Sequence, residues 1–203
     1  MTDSRDGKNK LAEALQRVVA REGIAGVSVR SVAAEAGVSA GSVQYHFRSR
    51  AEMIRYAMEQ TSATVEARLE RRHRWGAVKE WTRNILLDLL PLDSDRRREF
   101  SVWLAFVAHA STDPALLDLK QQSNDRLHWL YSRIIRARRG IVIPEDESLE
   151  HSLDPENDLE ATLLQSLMDG LSLRLADLDP EEAMVLGPKL LDRYLAVSVD
   201  ACV

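Results

Sequence analysis

Hydrogen-bonding side chains crowd one short stretch of the chain: Ser39, Ser42, Gln44, Tyr45 and His46 fall within eight residues. Hydroxyls, an amide, a phenol and an imidazole of modest bulk suit the edges of base pairs and the oxygens of phosphates. Ser28 and Arg30 lie just upstream, and Arg50 just downstream. Catalytic constellations are missing by contrast. The sequence holds no G-x-G-x-x-G, no G-x-x-x-x-G-K-[ST], no H-E-x-x-H and no G-x-S-x-G. Its five histidines, at 46, 73, 109, 128 and 151, show no paired ligand spacing. Glu147 and His151 stand four apart in an acidic, loop-like stretch, where a solvated surface is the favoured reading over a metal site. Neither a metal nor a cofactor is expected.

Helices must position these residues. Leu11, Ala14, Leu15, Val18 and Val19 recur at helical spacing, and Gly23 and Gly26 stop that stripe. Ser28 opens a short helix ended by Gly37, and Ser39 opens another, roughly Ala40 to Phe47. Ser49 and Glu52 form a capping box that starts a long helix to about Arg72. Further helices are expected near Val78 to Leu90, from about Ser94, and from Asp113-Pro114 to about Arg139. Asp154-Pro155 and Asp179-Pro180 repeat the cap-then-proline signal and open the last two. The segment Gly140–Asp154 reads as a loop, and its GIVIP run is too short for a strand. The fold class is therefore all-α, with about nine helices: three short ones in the first 50 residues and six longer ones after them.

Composition agrees with a globular chain. Of 203 residues, 45% are hydrophobic and 29% charged, with nine glycines and six prolines. A single cysteine, Cys202, excludes an internal disulfide framework and a cysteine-based zinc finger. No apolar run approaches the roughly 18 residues that span a bilayer, and the charged start MTDSRDGKNKLAEAL lacks the apolar core of a signal peptide. A cytoplasmic chain with no membrane partner is expected. The net charge of −5 hides an asymmetry: residues 1–50 carry eight basic and five acidic side chains, the rest 19 basic and 27 acidic. A basic head on an acidic body fits a nucleic-acid-binding head, and equally an ordinary solvated surface.

Two short helices joined by Ala36-Gly37-Val38-Ser39, the second polar on its exposed side, make a helix-turn-helix. Pattern alone leaves a plain helical corner as an equal alternative. The stretch GIAGVSVRSVAAEAGVSAGSVQYHFRSRAEMI resembles the DNA-binding head of the TetR family of transcriptional regulators. Its V-A-x-x-A-G-V-S core, its Y-H-F ending and its S-R-x-E-M entry to the next helix carry that likeness. EFSVWLAFVAHASTDPALLDL and LLQSLMDGLSLRLADLDPEEA resemble the BetI-type subclass, the second more loosely.

The resemblance implies a three-helix DNA-binding head over residues 1–50 and an antiparallel helical ligand-binding and dimerisation body over 51–203. It places Ser28 and Arg30 against phosphate, Ser39 and Ser42 at the start of the recognition helix, and Gln44, Tyr45, His46 and Arg50 at DNA. Many members have tyrosine where this chain has Gln44, so an aromatic phosphate contact is exchanged for an amide that can read adenine. Ala40 stands where lysine is frequent. The implied partners are a double-stranded palindromic operator, a second copy of the chain and a small-molecule inducer. Leu163, Leu167, Leu171, Leu190 and Tyr194 are the candidates for a four-helix dimer interface, and close helix approach is a reason for Gly170. Trp81, Trp103, Phe106, His109, Trp129 and Tyr131 are the candidates for ligand contact. Tryptophan in an acidic body also suits a cation, and choline-type sensing is known in that subclass. The long helix from Ser49 is the expected lever, with Met58 to Val65 lining the pocket. The favoured reading is a ligand-responsive repressor. Its rival is an all-α enzyme or cofactor-binding bundle that does not bind DNA.

Overall fold

The computed structural model describes residues 2–71, 76–111, 113–141 and 154–199. Among them are nine α-helices and no strand: α1 (Thr2–Glu22), α2 (Val29–Ala36), α3 (Ala40–His46), α4 (Arg50–Glu70), α5 (Val78–Leu89), α6 (Ser94–Ala110), α7 (Pro114–Arg138), α8 (Pro155–Ala176) and α9 (Pro180–Tyr194). A 3-10 turn, Ile24–Gly26, precedes α2, and a π-helical turn, Leu195–Val199, follows α9. The expected Glu147–His151 pair, His73 and most of the GIVIP run lie outside the described residues.

The local signals act at the head as their chemistry dictates. Gly23 (φ 67°) and Gly37 (φ 65°) take left-handed backbone, which a side chain disfavours. Ser28 caps α2 by accepting from the Ser31 amide (3.0 Å), and Ser31 Oγ accepts from the Ser28 amide in return (2.9 Å). Ser39 caps α3 through the Ser42 amide (3.2 Å). At α4, the Glu52 amide donates to Ser49 Oγ (3.1 Å), but Glu52 Oε2 accepts from the Arg48 amide (2.8 Å), one residue earlier than a capping box requires. Asp179 caps α9 through the Glu181 amide, whereas Asp154 fills its cap position without a side-chain bond. There the proline at the first helical position carries the signal by itself.

Two compact units emerge, residues 1–68 with 98–120, and residues 69–97 with 121–203. The first is built around Leu11, Leu15, Val18, Val32, Val43, Phe47, Met53 and Phe106. Every member of the α1 stripe read from spacing is buried in it. This unit takes in α4 residues and the later part of α6, so its core does not close at residue 50. Gln16 Nε2 donates to Thr61 Oγ1 (2.8 Å), and Met58 is 4% exposed, so both α4 residues are committed to this core.

The second unit gathers Ile85, Leu86, Tyr131, Ile134, Leu164, Met168, Leu175 and Leu191. Arginines tie its helices. Arg138 donates to Thr82 Oγ1 (2.8 Å) and to the Lys79 carbonyl (3.0 Å), joining α7 to α5. Arg83 Nη2 reaches Asp192 Oδ2 (2.8 Å), joining α5 to α9, and holds that carboxyl below the usual range. Arg97 closes the end of α8 by donating to the carbonyls of Leu175 (3.1 Å) and Leu178 (3.0 Å).

Candidate nucleic-acid interface

Val43, fully buried, and Phe47, 3% exposed, pin α3 to the first core from one side. The opposite face presents Ala40, Gly41, Gln44 and Tyr45 to solvent, with Tyr45 81% exposed. An aromatic side chain held out in water by a rigid helix contributes little to folding. His46 is half-buried: its ring meets that of Tyr45 edge-on at 5.1 Å, and its other side lies against Gly7 of α1, where a Cβ would come within 3.3 Å of Nε2. Ser42 is half-buried, and Ser28 and Ser39 are exposed, each serving as a helix cap.

The basic side chains of the head divide into employed and unemployed. Arg17 and Arg21 both bind the Glu35 carboxylate, at 2.7 and 2.8 Å, clamping α1 to α2. The hydrogen bonds from Arg21 and then Arg17 hold Glu35 below the usual carboxylate range. The Lys8 ammonium sits 4.3 Å above the Tyr56 ring and 5.2 Å above that of Phe47, and Tyr56 donates to Asn9 Oδ1 (2.8 Å). Arg50 donates to the carbonyl of Ile24, bracing α4 against the 3-10 turn. Lys10, Arg30 and Arg48 are exposed and have no side-chain partner among the described residues. Arg48 is absent from the sequence-based set. Its position directly after the recognition helix is the signal that could have found it.

The six candidate ligand residues fall into two groups of three. Trp103, Phe106 and His109 follow one another on α6 in the first unit. Phe106 is 1% exposed within the core, Trp103 stacks on Phe100 at 5.7 Å, and His109 Nε2 lies 3.6 Å from Asp113 Oδ2. Trp81, Trp129 and Tyr131 belong to the second unit. Trp81 is half-buried against its core, and burial pushes the Tyr131 phenol up. Trp129 carries the Arg133 guanidinium 4.7 Å above its ring, while its indole nitrogen is buried with no hydrogen-bond partner among the described residues. Ser132 Oγ and the Tyr194 hydroxyl share that condition. Asp169 is half-buried beside Tyr131 and has no hydrogen bond or ion pair among the described residues, so burial alone raises its carboxyl. Sequence reading passed over Ser132 and Asp169, because a lone serine or aspartate on a helix gives no sign of the depth at which it sits.

The candidate dimer residues also separate. Leu163 (49%) and Leu190 (37%) are exposed, Leu167 and Tyr194 are half-buried against the second core, and Leu171 (8%) lies inside it. The exposed apolar set is larger than leucine spacing indicated: Leu159, Leu163 and Leu173 on α8, Met184, Val185 and Leu190 on α9, and Val197 in the π turn. Gly170 opens onto the outer side of α8, where a Cβ would meet nothing within 4 Å. Among the described residues, no cluster of His, Cys, Asp and Glu could hold a metal ion, and no helix is long and apolar enough to cross a membrane.

Comparison with known proteins covers nearly the whole length. Residues 11–57 match the family model for bacterial regulatory proteins of the tetR family, and residues 78–198 match that for the C-terminal part of BetI-type transcriptional repressors. The HTH-type transcriptional regulator PksA of Bacillus subtilis is 31% identical over 179 residues, 88% of this chain and 82% of that protein. The crystal structure of a transcriptional regulator from Rhodococcus sp. Rha1 superposes with a TM-score of 0.76 at 31% identity, covering 95% of this chain and 97% of that one. A regulator from Saccharomonospora viridis, solved in complex with choline, gives 0.80 at 22% identity over 96% and 98%.

Proposed function

The chain belongs to the TetR family of bacterial regulatory proteins and has a BetI-type C-terminal region, and from that premise we propose that it is a repressor released from its operator by a small molecule. It is a transcriptional regulator and not an enzyme, so the rival reading as an all-α enzyme or cofactor-binding bundle gives way. Residues 1–50 make the DNA contacts, and residues 51–203 hold the ligand and the second copy. Its place of work is the cytoplasm, where the chromosome lies.

The observation that carries this reading is the outward face of α3. Gln44 and Tyr45 stand in solvent on a helix capped at its start by Ser39 and anchored by Val43 and Phe47. Gln44 reads a base edge, and Tyr45 and His46 approach the backbone with Ser28, Ser39 and Ser42. Lys10, Arg30 and Arg48 supply phosphate contacts, and Arg50 works as a brace on Ile24 as much as a contact.

Two copies join through the outer faces of α8 and α9. Leu159, Leu163, Leu173, Val185 and Leu190 lose water there, and the bare surface at Gly170 admits a second helix closely. Leu171 serves the core of its own chain. The ligand binds in the second unit, which holds Trp81, Trp129 and Tyr131, and the Asp169 carboxylate beside Tyr131, with no ion pair among the described residues, supports a cationic ligand. The choline in the Saccharomonospora viridis structure is of that class. Helix α4 transmits the response, because its Arg50 and Tyr56 touch the supports of α3.

Selection from a random pool of duplexes at low salt tests the reading. The expected product is a near-palindrome whose half-sites are one helical turn, or a multiple of it, apart. Affinity falls steeply with salt as phosphate counterions are released. A pool that emerges without sequence preference overturns it.

A further inference from the structure

Gly41 is a residue of the recognition helix whose missing side chain the fold itself does not call for. Its backbone is ordinary helix, since the positive φ values among the described glycines belong to Gly23, Gly37, Gly76 and Gly140. A Cβ added to it would meet only Ser39 Oγ, at 3.7 Å, an ordinary van der Waals contact. Among the helical glycines, Gly170 is as uncrowded as Gly41, but Gly187 is not. At Gly187 a Cβ would come within 2.8 Å of Leu92 Cδ2 and 3.0 Å of Leu175 Cδ1, so packing explains the missing side chain. At Gly41 neither conformation nor packing excludes alanine. Inside a helix, glycine is the least favourable residue short of proline, and α3 has only seven residues over which to spread that cost.

The position of Gly41 indicates what the cost supports. Gln44 and Tyr45 lie three and four residues on, so all three share the exposed face. The bare backbone at Gly41 therefore lies beside the two side chains that project from the helix. The buried Val43 and Phe47 hold α3 from behind, and it cannot yield to a bump on its front.

We propose that Gly41 is a close-approach position, where the uncovered backbone of α3 lies against the base edges of double-stranded DNA and sets how deeply the helix enters the groove. The proposal rests on the DNA-binding reading above and deepens it by naming a residue that determines specificity. The major groove is about 12 Å wide, and a helix with its side chains measures roughly 10–12 Å across. A single methyl group on the leading face thus displaces the whole helix. A hydrogen bond from Gln44 to a base edge weakens steeply beyond about 3.2 Å and does not survive that displacement. Contacts from long, flexible side chains such as Lys10, Arg30 and Arg48 re-form on phosphates after a shift of this size. Gly41 accordingly governs discrimination between sequences more than total affinity.

The test sets folding and recognition in opposition. Gly41→Ala and Gly41→Leu are compared with the unmodified protein in thermal unfolding, and in binding to a duplex that the unmodified protein selects from a random pool and to a scrambled duplex of the same composition. Gly41→Ala is expected to keep or raise the melting temperature, by up to about 2 °C, since Gly41 lies in the first turn, where only part of the interior helix-propensity step applies. On the selected duplex its affinity falls about tenfold or more, and that of Gly41→Leu falls further, while both retain their affinity for the scrambled duplex. Full affinity of Gly41→Ala for the selected duplex overturns the proposal, and so does a lower melting temperature, which would show that the fold needs the glycine. If the unmodified protein selects no sequence at all, the DNA-binding reading itself fails, and the unfolding measurement still reports on the glycine.

Discussion

Gln44 and Arg48 stand within five residues of each other and are expected to do different work. An amide that pairs with a base edge discriminates, whereas a guanidinium on a phosphate attracts any sequence. Replacing Gln44 with alanine should relax base preference at one position in each half-site, at a cost of roughly 1–3 kcal/mol for a bidentate contact. Unchanged preference across a library of operator variants would leave Gln44 as a backbone contact. Arg48→Gln should weaken binding to all duplexes alike and lower the slope of log affinity against log salt by about one. Arg50→Gln should in addition lower the melting temperature, because the Ile24 carbonyl loses its charged donor. Binding and unfolding curves for the two arginine variants therefore separate a free phosphate contact from a brace. Equal melting temperatures would assign Arg50 wholly to DNA.

At the scale of the element, α8 carries a carboxylate that has no hydrogen bond or ion pair among the described residues. Burial raises the Asp169 carboxyl above the ordinary range. Below the pKa of the unfolded chain both states are protonated, and the group is neutral to stability. As pH rises through the interval up to the folded pKa, the unfolded chain ionises freely and the folded one does so only at a cost. The folded state is therefore penalised at neutral pH and relieved in acid. Asp169→Asn should raise the melting temperature at pH 7, with a gain that shrinks as pH falls into the carboxylate range. The same substitution should weaken a cationic ligand, so a stability gain accompanied by loss of ligand response would mark the carboxylate as functional. No gain at pH 7 would mean that the unfolded chain holds this group in similar surroundings.

On the reading proposed above, the whole molecule works as a pair of heads, and its pairing surface is the part most easily misjudged. Leu163 points outward and Leu171 inward, although both lie on the same leucine repeat of α8. Leu163→Glu should split the dimer and leave each chain folded, since the charge stays in water in the separated state. Leu171→Glu should unfold the second unit instead, because an unpaired charge cannot enter its core. Sedimentation and circular dichroism distinguish the outcomes. A dimer untouched by Leu163→Glu moves the interface off this face. Separated chains should also lose most operator affinity, since each then presents one head to a two-headed site.

Local chemistry is what the residues alone determined: where helices start and stop. Ser28, Gly37, Ser39, Pro155 and Pro180 act through their own backbone and nearest amides, so their meaning does not wait for the fold. The stripe from Leu11 to Val19 was equally legible, because α1 has a single apolar face and nowhere else to bury it. The proposed DNA-facing set, Arg48 apart, came from the likeness of the helix-turn-helix stretch to its family. Tertiary structure decided what periodicity cannot. Leucines recur on several faces of α8, and only packing against α9 and its neighbours assigned Leu164, Met168 and Leu171 to the interior and Leu159, Leu163 and Leu173 to the outside. Employment of charge was likewise invisible in sequence. Arg17, Arg21 and Arg50 are consumed by Glu35 and Ile24, groups 14 to 26 residues away, while the Arg48 side chain has no partner among the described residues. Whether a charged group is available depends on which partners the folded chain brings within hydrogen-bonding distance, and that distance is set by packing between elements.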